Sequence, residues 1–461
     1  MKRKIFYLLN FIFFGISVLM IFQNCKKQFT QDKKSIIIGK IVNPKKDYFI
    51  VSQDPFNLTS DTINVTTENK FKGTVHTPTE GFYFVYIFPE FQTFYLKPGD
   101  SLAFVLNTNE FDESLSFSGT SGLENTILIN LFLLNEKESL DLYNQFSHIS
   151  PKELLKKTDS FGRIKNKFIQ SYNPEFQQTT LKFKKTLDFY KQLAKCRILE
   201  AYAGKHKNDL PENYFAYRKI LQEKAIDPNI PDLLYFIKNF VDNNISSNLN
   251  VEQKQKQTIQ LINNKIADPL VKDNILMLYC KNYIKDFFVS NSDDEILNKY
   301  LSLMHNAKYK KYCGDLVTKN KALVQGKTIP DIWLLDIDGK PVSLKRLLKN
   351  DKYLLSFSDF YYRKNYRSNY DKLKKIKTKF PNLHIMVINK NIGDFNEWKI
   401  QLPKDTLLNF YQFRDAKGIN KIFPYSLSKI YLIKNDTIKQ SMINMYEPNF
   451  QELLKNFMNN P

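Results

Sequence analysis

The periodicity of apolar residues changes twice along this chain of 461 residues, and this pattern constrains its fold most strongly. Residues 35 to about 120 alternate between apolar and polar positions, as β-strands do. Residues 122–320 repeat apolar side chains at helical spacing, and from Gly326 onward short apolar runs alternate with helical stretches. A chain this long exceeds one compact core, so we expect several domains of different class.

The alternating region predicts a small antiparallel β-sandwich over residues 33–120. Its clearest hairpin is centred on Pro98-Gly99-Asp100, where a turn signal separates two alternating runs. Further strands are predicted over residues 35–42, 48–52, 71–75, 82–87 and 115–118. We identify no catalytic constellation in this region.

The middle region predicts an all-helical domain of six to nine helices over residues 121–320. Glycine nearly disappears there, and five prolines stand where a first helical turn could begin: Pro151, Pro174, Pro211, Pro231 and Pro269. Its aromatic stripes could line a ligand cleft, but helix core is their more ordinary use. We therefore interpret the region as a helical spacer.

The amino terminus has the layout of an export signal. Residues 1–4 are cationic, and residues 5–22 are almost wholly apolar and just long enough to span a bilayer. Cys25 follows, and segment 1–25 resembles the lipidation segment of bacterial lipoproteins, in which the acylated cysteine becomes the new amino terminus. This chain has Phe22-Gln23-Asn24 where that family has a small residue before the cysteine.

Three outcomes remain open for this segment: a lipid anchor on Cys25, an uncleaved membrane helix, or a cleaved soluble form. Each one places the rest of the chain outside the cytoplasm. We therefore expect an exported protein of the cell envelope, held to a membrane by its amino terminus and facing the periplasm or lying at the outer membrane.

The chain is basic, with 68 Lys and Arg against 47 Asp and Glu and a formal net charge of +21. Such a charge can indicate affinity for nucleic acid or for an anionic membrane surface. The lysines are spread along the chain, however, and no nucleic-acid-binding motif accompanies them. We expect no nucleic-acid partner.

Cysteines are few. Besides Cys25 the chain has only Cys196, Cys280 and Cys313, none in a Cys-x-x-Cys motif and none with a histidine at metal-ligand spacing. We expect small buried apolar side chains, with one disulfide among the three left open. The five histidines are scattered singly, so the sequence predicts neither a metal site nor a cofactor.

The last region opens with several short motifs in order. They are Pro330-Asp331, then Asp336-x-x-Gly339-Lys340, then Val342-Ser343-Leu344. This order resembles the opening segment of membrane-anchored thiol-disulfide oxidoreductases and peroxiredoxin-like proteins. The resemblance covers residues 323–461, about three tenths of the chain, and the Pro98-Gly99-Asp100 hairpin weakly resembles the β-domain that precedes such modules in some exported bacterial proteins.

The resemblance implies a thioredoxin-like α/β layer in a domain spanning residues 321–461. Strands are predicted over residues 353–357, 383–389, 429–433 and 437–441, and helices over residues 364–380, 394–402 and 448–458. The expected fold is thus multidomain α+β: a small antiparallel β-sandwich, an all-helical middle region and a thioredoxin-like domain.

The residues that carry the chemistry of that family are missing. The resemblance implies a Cys-x-x-Cys at the start of the helix after the first long strand, where the helix amino terminus lowers the pKa of the thiol. Aligning on the strand places Tyr362 and Asn365 there, and no cysteine follows Cys313. Ser428 occupies the position of the family's cis-proline, and we predict a trans bond before it, because a cis bond to a non-proline residue costs about 3–4 kcal/mol.

Several functional interpretations follow. The favoured one is a redox-inactive module that binds an envelope protein or peptide or acts as a spacer; a purely structural spacer would have no specific partner. The alternative is an active thiol-disulfide oxidoreductase that uses a cysteine of the helical domain, with Cys313 the nearest in sequence. We lean against enzymatic activity, because thiol exchange needs an exposed thiol of low pKa.

A basic and aromatic helix face could supply a binding surface. Its members at the start of the helix are Tyr361, Arg363, Lys364, Tyr366 and Arg367, and the face continues past Tyr370 to Lys379. Such a face suits acidic peptide, glycan or phospholipid head groups. A solvated helix face that only keeps the protein soluble is the simpler interpretation.

Overall fold

The computed structural model describes residues 33–88, 90–206, 210–348, 351–358, 363–390, 395–402, 410–416, 423 and 429–459. The chain is of mixed α+β class and divides into two compact units. The first unit comprises the described part of Met1–Leu134 together with Ile169–Lys184, and the second comprises Asn135–Phe168 together with the described part of Lys185–Pro461.

The first unit holds eight described strands. They are β1 (Lys34–Val42), β2 (Tyr48–Ser52), β3 (Asp61–Asn64), β4 (Lys70–His76), β5 (Gly81–Ile87), β6 (Glu90–Leu96), β7 (Ser101–Asn107) and β8 (Ser116–Gly119). These strands form two four-stranded sheets, ordered β4-β1-β7-β8 and β3-β2-β5-β6. All described pairings are antiparallel except β1 with β7, which is parallel. The sequence missed β3, whose one buried side chain, Ile63, leaves little alternation to detect.

The inward-facing residues of these strands meet in an aromatic core. The ring of Phe71 lies 5.0 Å from that of Phe49 and 4.6 Å from that of Phe104, and Phe94 lies 5.0 Å from Phe104. Alternate side chains of a strand point to one face, so the period-two pattern of the sequence delivers these rings to one interior. Edge contacts between rings add to the burial of their area.

The Pro98-Gly99-Asp100 hairpin forms as predicted. Gly99 adopts φ +85°, which glycine reaches without steric cost. The buried carboxylate of Asp100 accepts hydrogen bonds from the backbone N–H of Lys97 at 2.6 Å, the hydroxyl of Thr120 at 2.8 Å and the hydroxyl of Ser121. Asp100 therefore ties the turn to the segment after β8.

Eight α-helices are described between residues 122 and 322, within the predicted range of six to nine. They are α1 (Gly122–Tyr143), α2 (Pro151–Gln170), α3 (Leu181–Lys205), α4 (Leu233–Asn244), α5 (Val251–Lys265), α6 (Pro269–Asp286), α7 (Glu295–Leu303) and α8 (Ala307–Ala322). Two 3-10 helices, Glu175–Gln178 and Glu212–Gln222, lie among them.

Local signals in the sequence explain where these helices begin. Pro151 and Pro269 are the first residues of α2 and α6, and Pro174 and Pro211 directly precede the 3-10 helices. Asn250 and Gln253 form a reciprocal capping box at α5. The starts of α6, α7 and α8 are capped by the side chains of Asp268, Asp294 and Asn306.

The rest of the second unit is built on a seven-stranded sheet. Its strands are β9 (Trp333–Leu335), β10 (Pro341–Ser343), β11 (Lys352–Ser358), β12 (His384–Asn389), β13 (Tyr411–Asp415), β14 (Lys429–Lys434) and β15 (Thr437–Asn444). Its helices are α9 (Leu344–Leu347), α10 (Arg363–Lys379), α11 (Phe395–Gln401) and α12 (Phe450–Asn459). The strand order is β10-β9-β13-β12-β11-β14-β15, with β11, β12 and β13 mutually parallel and the other pairs antiparallel.

This strand order agrees with the thioredoxin-like layer that the sequence predicts, and the predicted strands and helices are present to within about two residues at most ends. The exception is β13, which the sequence missed. Buried residues cover both faces of the sheet, as expected when helices pack on a parallel core.

The opening segment folds as its motifs indicate. The carboxylate of Asp336 accepts hydrogen bonds from the backbone N–H groups of Asp338 and Lys340, both at 2.9 Å, and Gly339 adopts φ +80° to close the turn between β9 and β10. Ser343 caps α9, and its hydroxyl donates to the carboxylate of Asp331 at 2.7 Å. The Pro-Asp motif thus anchors the short helix.

Segment 1–25, with Cys25, lies outside the described residues. Among the residues that are described, none of the helices combines the length and apolar character needed to cross a bilayer.

Candidate functional site

Polar side chains converge where three neighbouring parallel strands end. Ser358 is the last residue of β11 and lies opposite Asn389, the last residue of β12. Asn389 in turn lies opposite Arg414, which Asp415 follows at the end of β13. The carboxyl ends of parallel strands are where α/β sheets place ligands, so this edge is the candidate functional site.

The polar side chains at this edge are buried, and two of them, Arg414 and Lys390, are cationic. Lys390, directly after β12, donates its backbone N–H to the carbonyl of Ser358 at 3.0 Å, and its ammonium lies 6.0 Å from the ring centroid of Phe357. The guanidinium carbon of Arg414 lies 5.9 Å from the ring centroid of Phe395. Burying a charged group without a favourable partner costs free energy. At this edge each of the two cations lies near an aromatic ring, which attracts a positive charge.

Aromatic rings lie on one face of the sheet at this edge, opposite the face that carries Ser356 and Ser358. The rings of Phe357, Phe423 and Tyr431 lie between 5.3 and 6.1 Å from one another. Tyr431 is fully buried, and burial raises the pKa of its hydroxyl. Within the described part of the chain, the hydroxyls of Ser356, Ser358 and Tyr431 have no hydrogen-bond partner. Hydroxyls of this kind are available to a bound group.

The structure describes the side chain of only one of the site residues predicted from the sequence in this domain, Arg367. Tyr361, Tyr362 and Ser428 lie outside the described residues, so the alignment of Tyr362 and the trans bond before Ser428 stay predictions. Asn365, Arg363, Lys364 and Tyr366 belong to the start of α10, where the structure describes the backbone but not these side chains. Arg367, the next residue of the helix, is exposed.

The predicted aromatic face of this helix is wrong at Tyr370. That side chain is buried, and its hydroxyl donates to the amide oxygen of Gln412 on β13 at 2.8 Å. The physical reason is helix periodicity, because Tyr370 shares the sheet-facing side of α10 with Leu373 and Ile376.

The described exposed side of α10 mixes bases with an acid. Arg367, Asp371 and Lys375 follow each other at four-residue spacing on exposed positions, so an acid separates two bases. Lys377 folds back, and its ammonium donates to the carbonyls of Pro381 at 2.8 Å and Leu383 at 2.9 Å.

The three cysteines of the helical region are buried and carry free thiols. The thiol of Cys196 donates to the carbonyl of Tyr217 at 3.7 Å, and that of Cys313 contacts the sulfur of Met277 at 3.6 Å. Burial raises the pKa of Cys196 to about 12, and neighbouring Cys313 together with burial raises the pKa of Cys280. None of the three is the exposed thiol that thiol exchange requires.

Cys196 gives a direct check of this environment. We expect iodoacetamide at pH 8 to leave Cys196 unmodified in the native protein and to alkylate it in concentrated urea. With a pKa of about 12, only about one thiol in ten thousand is ionised at that pH, and the side chain is buried as well. Peptide mapping by mass spectrometry measures both states. Rapid modification of the native protein would contradict the buried environment.

In the described parts of the chain, no three His, Cys, Asp or Glu side chains are grouped so that they could hold a metal ion.

The residues that sequence reasoning missed are those of β13: Gln412, Arg414 and Asp415. The segment Tyr411-Gln412-Phe413-Arg414 alternates aromatic and polar side chains, so a signal was present, but it spans only four residues and its polar side is buried. Phe410 and Phe413 are the only local sign of its burial.

No family model matches the chain, and no curated protein matches it. Among solved structures it is similar to a thioredoxin-like protein from Bacteroides caccae at 15% identity, over 58% of this chain and 93% of that one, with a TM-score of 0.31. It is similar to the thioredoxin domain of a thiol-disulfide oxidoreductase from Bacteroides vulgatus at 17% identity, over 30% and 99% of the two chains, with a TM-score of 0.25. A thiol peroxidase from Chromobacterium violaceum matches at 12% identity, over 29% and 85%, with a TM-score of 0.25.

The structural neighbours of this protein are thus thioredoxin-like proteins at low identity. At such identities and TM-scores they carry no argument about activity.

Proposed function

We propose that this protein is an exported, membrane-anchored envelope protein whose thioredoxin-like domain binds a protein or peptide without thiol chemistry. The observation that supports it is the composition of the site. The ends of β11, β12 and β13 present serine, asparagine, lysine, arginine and aspartate side chains, and no cysteine follows Cys313 in the chain. The thiols of the helical region offer no replacement, because all three are buried and the pKa values of Cys196 and Cys280 are raised.

The polar edge suits non-covalent recognition of a peptide. Arg414 carries a planar guanidinium that pairs with carboxylates, and the hydroxyls of Ser356 and Ser358 can donate to or accept from backbone groups. On the other face of the sheet, Phe357 and Tyr431 supply apolar area next to the same strand ends. A few placed polar groups beside apolar area are the usual composition of a binding site.

An insulin-reduction assay tests the absence of thiol chemistry. We expect the wild-type rate to equal the background rate, and single substitutions Cys196→Ser, Cys280→Ser and Cys313→Ser to change nothing, because all three thiols are buried away from a disulfide substrate. The double variant Tyr362→Cys/Asn365→Cys is the positive control, since it restores sulfur at the mouth of α10.

The alternative, an oxidoreductase that borrows a thiol from the helical region, makes the opposite prediction for the same assay. Wild-type activity that disappears with one of the three cysteine substitutions would establish the alternative and end the redox-inactive proposal.

Crosslinking in the envelope distinguishes a binding module from a purely structural spacer, since a spacer captures no specific partner.

The start of α10 is the proposed contact for an acidic partner. We expect Arg363→Glu/Lys364→Glu/Arg367→Glu to weaken binding of a fluorescent oligoglutamate peptide about tenfold at low salt, because three attractions become repulsions. Fluorescence anisotropy measures the affinity. The matched control, Lys375→Glu/Lys379→Glu/Lys439→Glu, changes the charge equally at exposed positions elsewhere on the domain. Equal weakening in both variants would show only general electrostatic attraction.

The proposed anchor is tested by mass spectrometry of the mature amino terminus. Lipidation predicts a diacylated Cys25 as the first residue, whereas an uncleaved helix retains Met1. A mature start beyond Cys25 without lipid would contradict the membrane anchor and favour the cleaved soluble form.

A further inference from the structure

Two parallel helices of the second unit bring two cysteines together. The hydroxyl of Tyr309 on α8 donates to the amide oxygen of Asn274 on α6 at 2.8 Å, and Asn320 at the far end of α8 donates to the carbonyl of Ile284 at 3.1 Å. Between these contacts, the thiol of Cys313 meets the sulfur of Met277 at 3.6 Å. Successive contacts advance along both helices, so α6 and α8 run side by side in one direction.

Cys280 lies on this contact line. It follows Met277 by three residues, so both side chains project from the same face of α6 toward α8. Its thiol is close enough to that of Cys313 to hydrogen-bond with it, and both residues are 0% exposed. Cys196 belongs to α3 and contacts the carbonyl of Tyr217 instead. The structure therefore selects one pair among the three cysteines.

We propose that Cys280 and Cys313 form an intrachain disulfide when the chain folds in the presence of an oxidising disulfide. The thiolate of one cysteine attacks a sulfur of the oxidant and releases one thiol, which leaves a mixed disulfide. The thiolate of the second cysteine then attacks the protein sulfur and releases the second thiol. Two electrons pass from the two cysteines to the oxidant, and their two protons go to the released thiols.

The burial of the pair determines when this reaction occurs. Neither sulfur is accessible in the folded protein, so oxidation must precede closure of the core around α6 and α8. Cys196 has no neighbouring cysteine in the described residues and remains a thiol. The inference rests on the proposed export only for the source of oxidant in the cell, since exported proteins fold where disulfides persist.

The disulfide would stabilise the two helices at the point where the seven-stranded sheet contacts them. The ammonium of Lys429, the first residue of β14, donates to the carbonyls of Asp286 and, at 3.4 Å, Lys285 at the end of α6. Asn320 of α8 donates to the carbonyl of Val289 just beyond that end at 2.8 Å. A disulfide between α6 and α8 would therefore stabilise the end of α6, which the first residue of β14 contacts.

Peptide mapping of the full chain tests the proposal. The purified protein is refolded with oxidised and reduced glutathione, alkylated in urea without reductant, and digested with trypsin. We expect peptides 273–281 and 312–319 to appear joined, with a mass lower by two hydrogens than their sum and separable by reductant. Recovery of both peptides singly alkylated would overturn the proposal. This assay is independent of insulin reduction and of the amino-terminal anchor.

Cys196→Ser is the matched control, because it removes another buried thiol and should leave the joined peptides in place. Cys280→Ala/Cys313→Ala should melt at a temperature about 5–10 °C below the oxidised protein, because it loses the constraint on the unfolded chain. The reduced wild type should melt close to this double variant. A reduced and an oxidised wild type with equal melting temperatures would contradict the bracing role.

Discussion

Replacing Lys165 by methionine is expected to destabilise the second unit by about 3–5 kcal/mol, because the substitution leaves the carboxylate of Glu138 buried without its partner. Lys165 on α2 is 3% exposed and Glu138 on α1 is 1% exposed. Their ammonium and carboxylate form an ion pair, and the second carboxylate oxygen has no partner among the described residues. Removing either member of this pair therefore leaves the other as a buried charge without a partner.

The pKa values of the pair give the pH dependence of this effect. Burial raises the pKa of Glu138, against the opposing charge of Lys165, and burial lowers the pKa of Lys165. A carboxyl whose folded pKa is raised is most favourable to folding when protonated, and that contribution is lost as pH rises through the folded pKa. In Lys165→Met the pKa of Glu138 rises further, so the loss of stability should be largest at neutral pH and should shrink on acidification.

Urea unfolding followed by tryptophan fluorescence measures this loss, because both tryptophans, Trp333 and Trp398, lie in the second unit. Glu138→Gln/Lys165→Met should recover most of the stability, since no buried charge remains. Lys195→Met is the matched control: its ion pair with Asp159 is largely exposed and should be worth no more than about 1 kcal/mol. Equal losses for Lys165→Met and Lys195→Met would contradict the prediction.

The second large effect is expected in the first unit, where Gly39→Ala should cost at least about 4 kcal/mol. Gly39 pairs with Phe104 across the parallel strands β1 and β7. A Cβ at this position would lie 1.8 Å from the carbonyl oxygen of Phe104 and 2.8 Å from the ring of Phe71, at φ +152°. The carbonyl cannot yield without parting the two strands, and the ring belongs to the aromatic core.

Gly99→Ala separates the clash from the backbone preference. Gly99 also has a positive φ, of +85°, but a Cβ there would meet nothing within 4 Å. We therefore expect a cost of about 1 kcal/mol at Gly99, from backbone strain alone. Urea unfolding followed by near-ultraviolet circular dichroism of the aromatic core measures both variants. Similar costs at the two positions would show that β1 and β7 tolerate a methyl group between them.

The candidate site shows which of its residues a local sequence pattern can predict and which it cannot. Its β11 and β12 strands are apolar runs that the sequence identifies, and the position of Ser358 at the end of β11 follows from them. Arg414 and Asp415 were not assigned, because the alternation from Tyr411 to Arg414 spans only four residues and its polar side faces the interior instead of solvent. Their partners also lie far away in the chain, so no local window contains the site.

What the sequence determined by itself is the kind of element in each region, the turns at Asp100 and Gly339, and the absence of any cysteine after Cys313. These features depend on local periodicity, turn chemistry and residue identity, which a short window carries. Only the tertiary structure decided that β13 lies in the middle of the sheet, that Tyr370 is buried, and that Cys280 meets Cys313. Strand order and helix contacts join residues distant in sequence, and the packing that selects them acts on the whole unit at once.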